Sequence, residues 1–278
     1  MSELLTYSLV TTDTSFPTPD TLRSNSTYNQ GAYEDYLNFR KGPYTQAHTN
    51  GAAFLPLKEI APESYSSIAT ALAAQNASKY LPSLYNEEPT LLAGFLAQRR
   101  IQVNQLLSTN ASIYEFGFAG NGAATAALQK SISRGTILLN PADPLGPPVI
   151  DFHSFVNPSD KQVMVASVRY TRKIYNTTAM SVYGPVETVP GVAYNTDDEI
   201  LSALANGVGQ PTFAHPCGTA AMVPRELGGV VASDLLVYGL RKLSVVDASI
   251  MPIIPATHLQ ATVYAIAEKA ADIIKARA

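Results

Sequence analysis

Helix-like and strand-like segments come in blocks along this chain instead of alternating, and that arrangement limits its fold more than any other feature. A parallel sheet needs a helical crossover between its strands, whereas blocks of strands close through short turns into antiparallel pairs. Four segments carry helical patterning. Pro62 to Leu81 is alanine-rich with Ile68 and Leu72 on one face, and Pro89 to Leu107 sets Leu92, Phe95, Leu96 and Leu106 on an apolar stripe. Ser159 and Asp160 open a helix through Val163, Met164, Val168 and Ile174, with acidic charge at its positive end. Thr196 and Glu199 form a capping box ahead of Ile200, Leu201 and Leu204. Extended segments are expected at Ser112 to Gly117, Thr136 to Asn140, Pro148 to Phe152 and Val182 to Val189. Turn signals at Arg134-Gly135, Asn140-Pro141 and Leu145 to Pro148 separate several of them. The expected class is α+β, an antiparallel sheet with helices, without internal repeats.

The pattern changes near Gly207 to Phe213. Two short apolar strands are expected after it, Val230 to Val237 and Leu243 to Val246, and then a long terminal helix, Leu259 to Arg277. That helix sets Val263, Ile266, Ala267, Ala270, Ile273 and Ile274 on one stripe and Glu268, Lys269, Asp272 and Lys275 on its polar side, the pattern of a helix docked on a core. The first forty residues read as polar and turn-rich.

Composition narrows the function classes. A chain of 278 residues, 46% apolar and 15% charged, has enough material for one large domain or two modest ones. Its net charge of −3 offers no attraction to nucleic acid or an anionic membrane, and no apolar run is long enough to span a bilayer. Cys217 is the single cysteine, so no internal disulfide supports the fold. The segment Met1 to Tyr7 lacks the basic and apolar regions of a signal peptide, so the chain as written is expected to stay where it is made. Sequons at Asn25, Asn76, Asn110 and Asn176, against about two expected by chance, point instead toward a secreted ancestry.

One segment imitates a phosphate site. Ser112 to Gly122 reads as a strand entering Gly120-Asn121-Gly122, followed by an alanine-rich helix and the strand at Thr136, with Asp143 near the place of a ribose-binding acid. Thr125, however, stands where the motif needs glycine or alanine, and Ser131 to Arg134 interrupts the short helix. The segment reads as an ordinary glycine-containing loop. Nearby, Tyr114, Phe116 and Phe118 alternate, which fits either an aromatic pocket wall or the packed side of a sheet.

Of the four histidines, His48, His153, His215 and His258, two have placements that favour chemistry. His215 lies in a loop fixed by Pro216 and Gly218. His258 follows a proline-rich stretch, Pro252 to Thr257, and immediately precedes the terminal helix. A helix amino terminus presents unpaired N–H groups and partial positive charge to an anion forming on a ligand. A neutral imidazole beside it is suited to taking a hydroxyl proton at neutral pH. Cys217, two residues from His215, admits a thiol–histidine nucleophile, but no orienting third group accompanies it, so it reads as a small buried residue.

The runs His215 to Met222 (HPCGTAAM), Gly228 to Val231 (GGVV), Leu236 to Gly239 (LVYG), Leu243 to Pro252 (LSVVDASIMP) and His258 to Ile274 occur in the order and spacing of the carboxy-terminal signature of the glucose–methanol–choline (GMC) flavoenzymes. Ser133 to Thr136 with Asp143-Pro144 resembles that family's SRG hairpin, and Gly42 to Thr45 resembles its GPxT segment. The resemblance is dense from Arg134 onward and looser before it. It implies the substrate-binding (cap) region of such an enzyme over residues 1–206, and over 207–278 the return segment of the FAD-binding domain that completes the flavin site. It also implies oxidation of the CH–OH group of a small-molecule alcohol with FAD as hydride acceptor. His215 would act as catalytic base and His258 would hold the substrate oxygen, where the family uses histidine or asparagine. Asp247, Ala248, Gln260, Ala261 and Thr262 match positions that touch the flavin, and no metal is implied. Ala232, Leu236 and Val223 depart from the family pattern around the loop that follows His215. No segment supplies the amino-terminal strand–GxGxxG–helix that grips the ADP part of FAD, so weak or no FAD binding by this chain alone is expected, with a separate amino-terminal half as its partner. Two other readings stay open: a non-redox cyclase or lyase on the same fold, and an inert truncated homologue that only binds a partner or ligand.

Overall fold

Alternation along Tyr114-Glu115-Phe116-Gly117-Phe118 sets the centre of the molecule. The computed structural model describes residues 3–4, 6–9, 17–46, 51–119, 124–208, 210, 212 and 214–277. Its strands are β1 (Glu3–Leu4), β2 (Thr6–Leu9), β3 (Gly51–Leu55), β4 (Tyr114–Phe118), β5 (Ala124–Leu128), β6 (Thr136–Leu138), β7 (Val149–Asp151) and β8 (Pro185–Val189). One antiparallel sheet has the order β1-β5-β4-β3; β2 pairs with β8 and β6 with β7. In the central pair Tyr114 faces Leu128, Glu115 faces Ala127 and Phe116 faces Ala126. Strand geometry therefore sends Tyr114 and Phe116 to one face and Glu115 to the other. The aromatic face is core: Tyr114 is bonded to Thr171 at 2.5 Å and Phe116 packs edge-on to Tyr175 at 6.1 Å.

The helices are α1 (Pro19–Ser24), α2 (Ser26–Phe39), α3 (Leu57–Ile60), α4 (Tyr65–Ala74), α5 (Leu84–Glu87), α6 (Pro89–Leu107), α7 (Pro158–Tyr175), α8 (Thr178–Ser181), α9 (Asp197–Ala203) and α10 (Gln260–Arg277). Helix α7 is the most deeply set, with Val163, Met164, Val168 and Tyr175 in a core shared with α4, α6 and the central sheet. The Asn157 side chain caps it, accepting from Ser159 N–H at 2.9 Å. One turn on, buried Asp160 accepts the N–H groups of Ile132 and Ser133 at 2.8 and 2.7 Å, which fixes the exit from β5. A second, smaller core gathers Val231, Leu235, Ile250 and Ala270 beneath α10.

Several expectations are corrected. The alanine-rich stretch after Gly122 is strand β5, not helix. Its few small residues are too short a run to nucleate a helix, and hairpin pairing with β4 outweighs alanine's preference. Gly120 to Gly122 and His48 lie outside the described residues. The polar amino-terminal segment is largely helical: Pro19 starts α1, and the Asn25 side chain caps α2. Helix α2 buries only Ala32, so no apolar stripe announced it. The helix expected from Pro62 to Leu81 is confined to α4, followed by a turn of 3-10 helix over Ala77–Lys79. Val230 to Val237 and Leu243 to Val246 make only the isolated bridges Val231–Val237 and Leu236–Ser244, because left-handed residues at Leu235, Gly239 and Lys242 break them into turns. On α10, Ala270 is buried and Ile266 and Ile273 pack on the second core, while Ala267 and Ile274 are exposed. Among the described residues no helix is long and apolar enough to cross a membrane.

Candidate functional site

Helix α9, opened by its capping box, runs into a π-helical turn over Leu204–Val208 and then toward the loop that carries His215. The segment after His215 is fastened to the turn at 248–250: Gly218 N–H donates to Ala248 O at 3.3 Å, Ala220 to Ser249 O at 2.9 Å and Met222 to Ile250 O at 2.9 Å. Gly218 has φ +86, and a Cβ there would lie 3.0 Å from Met251 O, so two separate constraints call for glycine. Asp247 caps the 248–250 turn through Ser249 N–H at 2.8 Å. These ties bring together the residues singled out in the sequence. The His215 and His258 rings lie 5.4 Å apart, centroid to centroid.

His258 has a partner that the sequence reading missed. Its Nε2 is 2.7 Å from Glu115 Oε1, and the Glu115 side chain is 3% exposed. Glu115 Oε2 in turn accepts from Gln129 Nε2 at 2.6 Å. Next along the chain, the buried Lys130 ammonium donates to the carbonyl of Ile254, in the stretch leading to His258. One signal for Glu115 was available: a carboxylate at the odd position of an otherwise aromatic, alternating strand must face something other than the core. Nothing in the sequence pointed to Gln129.

Beside His215 a cavity of about 350 Å³ opens between α6, the β6–β7 hairpin and the loop, lined by Phe95, Arg134, Phe152, His215, Cys217 and Ile253 among others. Arg134 is largely consumed by structure. Its Nη1 donates to the carbonyls of Ser131, Ile132 and Ser133 at 3.0, 2.9 and 3.1 Å, its Nη2 donates to Gln98 Oε1 at 3.0 Å, and the guanidinium lies over the Phe95 ring. Burial pushes the Cys217 thiol above its usual value, against the pull of the Arg134 and Lys130 charges. A raised value keeps the thiol protonated, which disfavours the nucleophile reading. His153 pairs with Asp151 at 3.2 Å.

Gln260, Ala261 and Asp247 are exposed, and Ala248 and Thr262 are half-buried. The first helical bond of α10 runs from Val263 N–H to Leu259 O, at 2.9 Å. The N–H groups of Gln260, Ala261 and Thr262 therefore precede the helical ladder.

Comparison with known proteins gives this geometry a lineage. Residues 131–267 match the model of the GMC oxidoreductase family. The chain is 36% identical over 224 residues to the dehydrogenase xptC of Emericella nidulans, covering 80% of this chain and 36% of the relative. Its fold superposes with a TM-score of 0.91 on an FAD-dependent oxidoreductase from Chaetomium thermophilum, at 34% identity, covering 99% of this chain and 47% of that one. A fungal aryl-alcohol oxidase superposes with a TM-score of 0.89 at 35% identity, covering 98% of this chain and 46% of the other. The chain belongs to the GMC oxidoreductases. It corresponds to the carboxy-terminal half of a GMC enzyme and spans less than half the length of these relatives. The α+β architecture of helices with small antiparallel sheets is the GMC fold. His215 and His258 both fall inside the family match.

Proposed function

We propose that this chain carries the acid–base machinery and the flavin-facing floor of an FAD-dependent oxidoreductase that converts the CH–OH group of a small alcohol to a carbonyl. The observation that carries the reading is the approach of His215 and His258 to 5.4 Å at the foot of α10. His215 takes the hydroxyl proton. His258, steadied through Nε2 by Glu115, is placed beside the substrate oxygen. FAD, when bound, supplies the acceptor for the hydride that leaves the alcohol carbon, so one proton and one hydride depart for each carbonyl formed.

The residues present fit the ring end of a flavin. The early N–H groups at Gln260, Ala261 and Thr262 offer donors to an anionic ring edge, and the small side chains of Ala248 and Ala261 leave the neighbouring backbone approachable. They do not fit the ADP end, for which the sequence has no glycine-rich phosphate loop followed by a helix. We therefore expect weak FAD binding by the chain alone and stronger binding when an amino-terminal half is supplied as a separate chain. The two cores support a division into a substrate-binding region at 1–206 and a flavin-completing segment at 207–278.

The test is anaerobic flavin bleaching by a panel of primary and secondary alcohols, with FAD added and with a GMC amino-terminal half co-expressed. Bleaching that disappears in His215→Ala supports the proposal. Turnover without any flavin redox change would reassign the chain to acid–base chemistry, and stoichiometric flavin on the chain purified alone would overturn the binding expectation.

A further inference from the structure

We propose that Gln129 is a positioning residue for His258, acting through Glu115: it holds the Glu115 carboxylate as an acceptor, so that His258 keeps its Nε2 proton on Glu115 and its ring stays fixed in one orientation beside His215. The proposal deepens the reading of His258 given above and rests on it.

Sheet geometry delivers the contact. Glu115 pairs with Ala127 across the β4–β5 ladder, and Gln129 follows two residues later on the same face. The Gln129 N–H donates to Ile113 O at 2.8 Å, which continues the ladder past β5 and fixes the backbone from which the side chain springs. Gln129 is fully buried, and its Nε2 donates to Glu115 Oε2 at 2.6 Å. An amide nitrogen has no lone pair to offer here, so it meets only an oxygen acting as acceptor. With Oε2 engaged in that way, a proton shared by the pair lies between Oε1 and His258 Nε2, 2.7 Å apart. An ionised carboxylate accepts on both of its oxygens, so Nε2 is the donor in that contact. The proton stays on Nε2, and in the neutral ring Nδ1 keeps its lone pair.

The other end of the amide argues against a purely structural role. Gln129 Oε1 is buried without a hydrogen-bond partner. Turning the amide over would set two acceptors, Gln129 Oε1 and Glu115 Oε2, against each other, so the orphan oxygen is tied to the donor contact. A leucine or methionine would fill the same space without leaving a buried polar atom unpaired. The glutamine thus keeps a locally unfavourable arrangement in order to direct one N–H at Glu115. His215 lies 5.4 Å away between ring centroids, and the Lys130 ammonium is taken by the carbonyl of Ile254, in the stretch leading to His258.

The experiment reads the His258 ring directly, on the full chain and without flavin. Selective 15N-histidine labelling gives one pair of ring signals for each of the four histidines, and His258→Asn assigns the pair that disappears. In the parent protein the neutral His258 ring is expected as the Nε2–H form. In Gln129→Met, with circular dichroism and melting retained, the Nδ1–H form should become substantially populated, and Glu115→Gln should shift the ring likewise. Gln129→Glu is the second variant: two carboxyl groups 2.6 Å apart must share a proton, which weakens the hold on Nε2 in the same direction. If folded Gln129→Met or Gln129→Glu leaves the His258 tautomer unchanged, or if only Glu115→Gln moves it, Gln129 has no positioning role. A tautomer shift in a protein that never oxidises an alcohol would uphold this inference and sink the proposed function, so the two fail separately.

Discussion

Glu115 Oε1 lies 2.7 Å from His258 Nε2, a contact between residues 143 positions apart in the chain. Strand β4 belongs to the first core, and His258 lies in the chain between Ile250 and Ala270 of the second, so this bond links the segments of the two cores at the site itself. Glu115→Gln keeps the shape but removes the negative charge that orients the ring. We expect flavin reduction by alcohol in the reconstituted enzyme to fall by about 10²-fold, the lower end of what positioned acid–base groups contribute. Stopped-flow absorbance measures it, and a rate within threefold of the parent would mean that His258 works without the carboxylate.

The two histidines were legible because each sits beside a backbone constraint, Pro216 and Gly218 for one and a helix start for the other, and such constraints are written in residue type. Helices α6, α7 and α9 were legible for the same reason, through apolar stripes and caps. Gln129 was not, and Glu115 only as an odd carboxylate in an aromatic strand. Their meaning depends on which face of β4 and β5 points inward, and β5 itself reads as helix until its antiparallel partner is known. Helix α2 escaped detection because it buries a single alanine, so local capping rather than an apolar face defines it. Tyr114 and Phe116, which the alternation left divided between pocket wall and sheet core, are core.

Helix α6 approaches the turn Arg225–Leu227 through Gly94, where a Cβ would run into the backbone carbonyl of Leu227. In an exposed helix, Gly→Ala gains up to about 1 kcal/mol, while overpacking a tight contact costs about 1–3 kcal/mol. The second effect should win at Gly94, because the clash is with backbone that cannot rotate away. Gly94→Ala should therefore destabilise by about 1–3 kcal/mol, and Gly31→Ala, in α2 with nothing within 4 Å of its Cβ, should stabilise slightly. Urea unfolding of the two variants checks both signs, and a stabilised Gly94→Ala would refute the close approach.

Cys217 stands two residues from His215 on the cavity wall, and burial raises its thiol above the ordinary value. Because only the thiolate attacks, the native protein at pH 8 should react with a disulfide reagent more slowly than a free cysteine does. Full reactivity should return in denaturant. Fast native labelling would place Cys217 among the reactive groups of the site.

Glu199 tests how the approach to the His215 loop is anchored. Its Oε2 accepts the N–H groups of Thr196 and Asn195 at 2.8 and 2.9 Å, and those bonds, Thr196 first, hold its carboxyl below the usual value of 4.5. A depressed carboxyl stabilises the fold in full above its unfolded value, and the contribution is lost as pH falls from there through the folded value. Glu199→Gln keeps an acceptor oxygen and loses only the charge. Its melting temperature should therefore lie below the parent's at pH 7, and the gap should close as pH drops below about 4.5. Thr196→Ala removes the reciprocal cap to Glu199 N–H and should cost about 1 kcal/mol. Much of that loss should remain in acid, where the hydroxyl still caps the parent helix. Equal pH dependence in the two variants would mean that the charge of Glu199, rather than its geometry, has no part in starting α9.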